Sequence, residues 1–219
     1  LCRRVLLEEL GVAPEAETQV LADQVRDGTL ADRETPPHNL PAQLTRFVGR
    51  EAELAHIARQ LNSPDHRLLT LVGSGGVGKT RLALEAVREL SYHYREGVHL
   101  VQLSAVESLE GLCPAIAASV GFAFREGGDP QAQLHGYLHG RQLLLVLDNF
   151  EHLRDGAVLV RAILDAAPGV QALVTSREPL GLPEEMLYPV GGMAYPDLGE
   201  ARDLHGFDGV RLFVERARR

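Results

Sequence analysis

No stretch of this 219-residue sequence comes near the roughly 18 consecutive apolar residues of a membrane-spanning helix. The opening Leu1-Cys2-Arg3-Arg4 also lacks the apolar run of a secretory signal, so a cytoplasmic location is expected. Bases are scarce beside acids, 22 against 30 for a net charge of −8, which excludes this segment as an electrostatic binder of nucleic acid. Contact with DNA would have to come from a domain missing from this chain. Cysteine is almost absent. Cys2 and Cys113 are too few and too far apart for a disulfide framework or a zinc site, and Cys113, in an apolar helical context, is expected as a packed thiol. Lysine is rarer still: Lys79 stands alone among arginines.

What is present, 45% hydrophobic residues, suffices for the core of one α/β domain with a small satellite element. Apolar positions at helical spacing in residues 1–30 (Val5, Leu6, Leu10; then Val20, Leu21, Val25) predict a short helical hairpin, with Gly11 and Pro14 between its helices. Residues 31–45, carrying Pro36, Pro37 and Pro41, predict a linker. From residue 46 to 219 strands and helices alternate, which predicts a mostly parallel sheet flanked by helices. Helices are predicted at Arg50–Leu61 and near 79–94, 109–120, 130–139 and 156–166; strands near 68–72, 98–103, 142–147 and 170–175. The run Leu143-Leu144-Leu145-Val146-Leu147 does not alternate with polar residues, so that strand is expected to be buried on both faces at the centre of the sheet.

Gly73-Ser74-Gly75-Gly76-Val77-Gly78-Lys79-Thr80 matches the phosphate-binding Walker A pattern in full, between a predicted strand and a predicted helix. Glycines let the backbone curl with its N–H groups inward around a phosphate, in conformations a β-carbon would hinder. Lys79 brings a mobile charge to the β- and γ-phosphates, and the Thr80 hydroxyl is suited to Mg²⁺. A sequence that uses arginine elsewhere thus has its one lysine where this chemistry calls for it.

Asp148 ends the buried run, where a strand-terminal carboxylate would reach the ligand side of the sheet and hold Mg²⁺, as a Walker B aspartate does; a cap of the following turn is the alternative. Glu151 is the nearest carboxylate for orienting an attacking water, or else a solvated residue of a first helical turn. Asn149 occupies the position after Asp148 where vigorous ATPases carry glutamate. Thr175-Ser176-Arg177 closes another apolar strand, so Arg177 is either a sensor of the γ-phosphate or a surface arginine. His135 and His139, four apart on a predicted helix, lack a third ligand and are expected on a solvated face.

Taken together, Phe47-Val48-Gly49-Arg50-Glu51, the P-loop Gly73 to Thr80, Leu147-Asp148-Asn149-Phe150-Glu151-His152-Leu153 and Val174 to Leu180 resemble the nucleotide-binding core of the signal-transduction (STAND) NTPases. The likeness is to the NB-ARC-like branch found in bacterial transcriptional activators and antibiotic-pathway regulators, over about residues 40–219. It implies an adenine nucleotide, ATP or ADP, with Mg²⁺; Val48, Gly49 and Arg50 near the adenine and ribose; Arg81 beside the P-loop as a further nucleotide contact; and Arg177 as the sensor. The opening hairpin, with Leu7 to Pro14 and Glu17-Thr18, resembles the end of the helical activator domain that precedes such cores, so a piece of a longer DNA-binding regulator is expected, with a nucleotide lid beyond Arg219. The implied function is a regulatory switch with slow ATP hydrolysis and nucleotide-dependent association with itself or a protein partner. An efficient AAA+-type ATPase and a non-hydrolysing interaction module stand as alternatives.

Overall fold

The computed structural model describes residues 36–43, 45–63, 65–196 and 204–217. The helical hairpin expected over 1–30 and the first part of the linker lie outside these residues. Five strands form one wholly parallel sheet: β1 (Leu68–Val72), β2 (Val98–Gln102), β3 (Leu143–Asp148), β4 (Val170–Ser176) and β5 (Met186–Pro189), in the order β2-β3-β4-β1-β5. The helices are α1 (Glu51–Leu61), α2 (Lys79–Leu90), α3 (Leu112–Ser119), α4 (Pro130–Leu138), α5 (Ala157–Ala166) and α6 (Asp208–Ala217). Among the described residues no helix is long and apolar enough to cross a membrane.

Helices cover both faces of the sheet, and the strand sequences show why. Leu143, Leu145 and Leu147 of β3 join the core made with α3, α4 and α5, while Leu144 and Val146 join the opposite core made with α1 and α2. Each leucine withdrawn from water this way contributes about 2 kcal/mol, so an unbroken apolar run is stable only between two helical layers. The expectation of a centre position for this strand needs correcting: β4 is the middle strand and β3 is second from the edge. A non-alternating run reports burial on both faces, which every interior strand shares, and does not rank interior strands among themselves.

Two elements escaped the sequence pattern. β5 is four residues ending at Pro189, too short for a period and with half its residues exposed, yet it pairs with β1 from Leu69 to Val72. α6 carries an amphipathic pattern without a single fully buried residue. The presumed linker also behaves differently where it is described: Pro37 accepts a hydrogen bond from the Val98 amide (3.2 Å), and Asn39 bonds the Leu100 backbone with both its amide nitrogen (2.8 Å) and its oxygen (2.6 Å). Proline keeps the segment out of regular structure, but an asparagine can satisfy a bare β2 edge with one side chain. Cys113 is buried as expected, and its thiol is held above its ordinary pKa by burial and then by the Asp129 carboxylate, so it stays protonated.

Candidate functional site

β1 delivers the chain to the P-loop at the C-terminal edge of the sheet. The loop is anchored on both sides, by the Gly73 amide donating to Ser176 (3.3 Å) and the Val190 amide donating to Val72 (2.7 Å). A β-carbon on Gly73 would run into the Val190 carbonyl. Gly78 takes φ +93°, a left-handed conformation that other residues adopt only under strain, and from it α2 starts directly. Lys79 is only 9% exposed, and its ammonium donates to the Gly73 (2.8 Å) and Ser74 (3.0 Å) carbonyls, leaving one proton for a ligand held in the loop. Ser74, Gly75 and Gly76 are exposed, and Val77 is half-buried.

β3 and β4 bring the remaining polar groups to the same edge. The Thr80 hydroxyl donates to Asp148 Oδ1 at 2.6 Å, and the Thr175 hydroxyl donates to the same oxygen at 2.6 Å. Asp148 thus sits where the sequence places it, next to the P-loop threonine. The oxygen set suits a hard divalent cation: with its proton directed at Asp148, the Thr80 oxygen keeps its lone pairs for a metal, and Asp148 Oδ2 accepts no bond from the described residues. Arg177 is 64% exposed, and its Nε lies 3.0 Å from Glu151 Oε1. Glu151 is therefore brought to the site, but engaged with the arginine, and its second carboxylate oxygen is buried with no partner among the described residues. Lys79, Thr80, Asn149, Glu151, Thr175 and Arg177 border one cavity of about 630 Å³.

A second cavity of about 490 Å³ opens on the other side of the P-loop. Its floor is Phe47, Val48 and Arg50, its wall is the loop from Gly75 to Gly78, and its far side is Met193 with Leu212 and Arg216 of α6. Arg50 is buried, with φ +63° at the start of α1; Nη2 donates to the Val77 (2.7 Å) and Gly191 (2.9 Å) carbonyls, and Nη1 is buried with no partner among the described residues. One side chain thus ties the chain entrance to the P-loop and to the segment after β5. Gly49, at φ +69°, has no room for a β-carbon because the Asp208 carboxylate occupies that space, accepting from the Arg50 amide (3.3 Å). Arg81 borders both cavities; it donates to the Thr45 hydroxyl (2.6 Å) and to the Thr45 (2.6 Å) and Arg46 (2.9 Å) carbonyls. Arg216 reaches the same Thr45 hydroxyl from α6 (3.0 Å).

Of the two histidines expected on a solvated face, His139 is exposed, with Nδ1 meeting the Ala166 carbonyl at 2.8 Å, whereas His135 is half-buried with its Nε2 withdrawn from solvent. Thr45, Thr175, Met193, Leu212 and Arg216 belong to the two cavities, and Asp208 packs against Gly49 beside them; these were missed. Asp208, Leu212 and Arg216 follow each other at intervals of four, so their common helical face was readable. Which surface that face meets was not.

Known proteins resemble this chain over most of its length. The NB-ARC domain family matches residues 50–180. A Mycobacterium tuberculosis protein provisionally named as an HTH-type transcriptional regulator is 36% identical over 155 residues, 70% of this chain and 16% of its own length. The regulatory protein AfsR of Streptomyces griseus is 32% identical over 197 residues, 80% of this chain and 20% of its own. The chain spans less than half the length of these curated relatives. Among solved structures, Cdc6p from Pyrobaculum aerophilum superposes with a TM-score of 0.56 at 16% identity, over 81% of this chain and 52% of that one, a likeness of fold alone.

Proposed function

This chain belongs to the NB-ARC family, and from that premise we propose that it is the ATP- and ADP-binding switch of a larger transcriptional regulator. The convergence of Lys79, Thr80, Asp148 and Arg177 on one sheet edge carries the proposal, above all the hydroxyl-to-carboxylate bond between Thr80 and Asp148. In it, Lys79 and the loop amides from Gly75 to Thr80 hold the phosphates, and the entrance cavity receives base and ribose against Val48, Gly49 and Arg50. Thr80 and Asp148 would hold Mg²⁺, which when bound neutralises charge on the β- and γ-phosphates.

Arg177 supplies the difference between ATP and ADP. The guanidinium of its pair with Glu151 is mostly solvent-exposed, and pairs screened by solvent contribute about 0–1 kcal/mol, whereas charge-assisted bonds to a phosphate contribute about 1.5–3 kcal/mol. A γ-phosphate therefore outcompetes Glu151 for the guanidinium, and that differential affinity is what biases two arrangements of neighbouring domains. Hydrolysis is slow in this reading. Among the described residues bordering the strand-edge cavity Glu151 is the one carboxylate, and it is engaged with Arg177. This observation also favours a switch over an AAA+-type motor.

Calorimetric titration of ATP, ADP and GTP with magnesium, run beside a phosphate-release assay on the same sample, tests the proposal. Tight adenine-nucleotide binding with release far below one turnover per second is expected, well under the typical enzyme range of about 1–1,000 s⁻¹. Fast release would make the protein an ATPase first, and no binding would leave an interaction module.

A further inference from the structure

Thr175 is 1% exposed at the end of β4, and both functions of its hydroxyl are committed. It donates to Asp148 Oδ1 (2.6 Å) and accepts from the Asn149 amide (3.0 Å). The ladder explains the placement: Leu147 pairs with Val174, so the next residues on β3 and β4, Asp148 and Thr175, leave the sheet side by side. Asn149 then turns away with φ +68°, a left-handed conformation that costs a non-glycine residue free energy unless a neighbour holds it. The bond from its amide to Thr175 is that hold.

We propose that Thr175 is a positioning residue for the metal-holding carboxylate, fixing the rotation of Asp148 without touching nucleotide or metal. Two hydroxyls, from Thr80 and Thr175, converge on Oδ1 from different elements. With either one alone the carboxylate could swing about its Cβ–Cγ bond. With both in place, Oδ1 is pinned between α2 and β4, and Oδ2 is left without a hydrogen-bond partner among the described residues. At this 1%-exposed position an apolar substitute leaves the Asp148 oxygen short of a donor and the Asn149 amide short of an acceptor. The inference rests on the reading of Thr80 and Asp148 as the magnesium-holding pair.

The test compares wild type with Thr175→Val, which keeps the shape and loses the hydroxyl, and Thr175→Ser, which keeps the hydroxyl. ATP affinity is measured by calorimetry in magnesium and again in excess chelator, and the ratio of the two is the readout. A uniform loss of stability lowers both affinities and leaves the ratio unchanged. Thr175→Val is expected to keep its chelator affinity within about 2-fold and to lose about 10-fold of the gain given by magnesium, the size of one hydrogen bond to a charged group. Thr175→Ser is expected to restore the gain. If Thr175→Val fails to fold, Thr175→Ala carries the same expectation with less crowding. A wild-type magnesium gain that survives intact in a folded Val or Ala variant overturns the role of Thr175 alone. Absence of any magnesium gain in wild type overturns instead the reading of the Thr80–Asp148 pair on which it depends.

Discussion

The strand-edge cavity takes Lys79 and Thr80 from one continuous motif and Thr175 and Arg177 from the end of β4, with Asp148 of the adjacent β3 bonded to both threonines, whereas the entrance cavity is assembled from three segments far apart in the chain. On the first side the sheet itself does the positioning. Parallel pairing forces the C-terminal ends of β1, β3 and β4 to one edge, so whatever residues end those strands must meet. On the second side no ladder reaches across. Arg50, Asp208 and Thr45 instead bridge the segments with individual hydrogen bonds, the one from Arg216 to Thr45 at an exposed position. A backbone-built site is robust to single substitutions outside its ligating groups; a site built from side-chain bridges yields where a bridge is cut.

Substitutions on the two sides should therefore separate by ligand, and the largest effect belongs to the strand-edge side. Lys79→Ala removes the one cation enclosed by the loop and is expected to weaken ATP and inorganic tripolyphosphate alike, by at least ~100-fold, with the folded circular dichroism spectrum retained. Unchanged affinity for either ligand would show that the loop does not hold phosphates. The next effect lies on the entrance side. Gly49→Ala forces a β-carbon into the space of the Asp208 carboxylate at a positive φ, and about 2 kcal/mol of stability should be lost, a fall of about 4–8 °C in Tm. Because the displaced partner is α6, ATP should weaken while tripolyphosphate binds as in wild type. Equal losses for both ligands would mean that the two cavities act as one.

The same contrast explains which parts were legible in the sequence. Four strands and the helices between them follow from runs of apolar residues, since the period of such a run reports local geometry and its continuity reports burial. The P-loop was readable to the residue because its function is written in contiguous backbone conformations. Asp148 and Arg177 were readable because they terminate strands. Glu151 was read for its proximity to Asp148, and proximity was right, but its orientation toward Arg177 depends on a partner from another strand. Thr175 had no signal of its own: a threonine at a strand end is ordinary, and only the pairing of Leu147 with Val174 sets it against Asp148. β5 lacked the length that makes a pattern, and α6 has a helical face but no buried residue to say which surface it meets, so Asp208, Leu212 and Arg216 were not assigned to the site.

The smallest effect sharpens the contrast furthest, because it isolates one bridge. Arg216 donates to the Thr45 hydroxyl and forms part of the entrance cavity's far wall, while Arg81 holds Thr45 independently through the same hydroxyl and the Thr45 carbonyl. Arg216→Ala therefore leaves Thr45 anchored and removes only an exposed hydrogen bond, a loss of about 0.5 kcal/mol with little change in Tm. ATP affinity should fall about 2-fold and tripolyphosphate affinity should not move. If ATP affinity instead falls as far as in Gly49→Ala, the terminal turn of α6 is the true wall of the base site, and the Asp208 contact matters chiefly because it sets that turn in place.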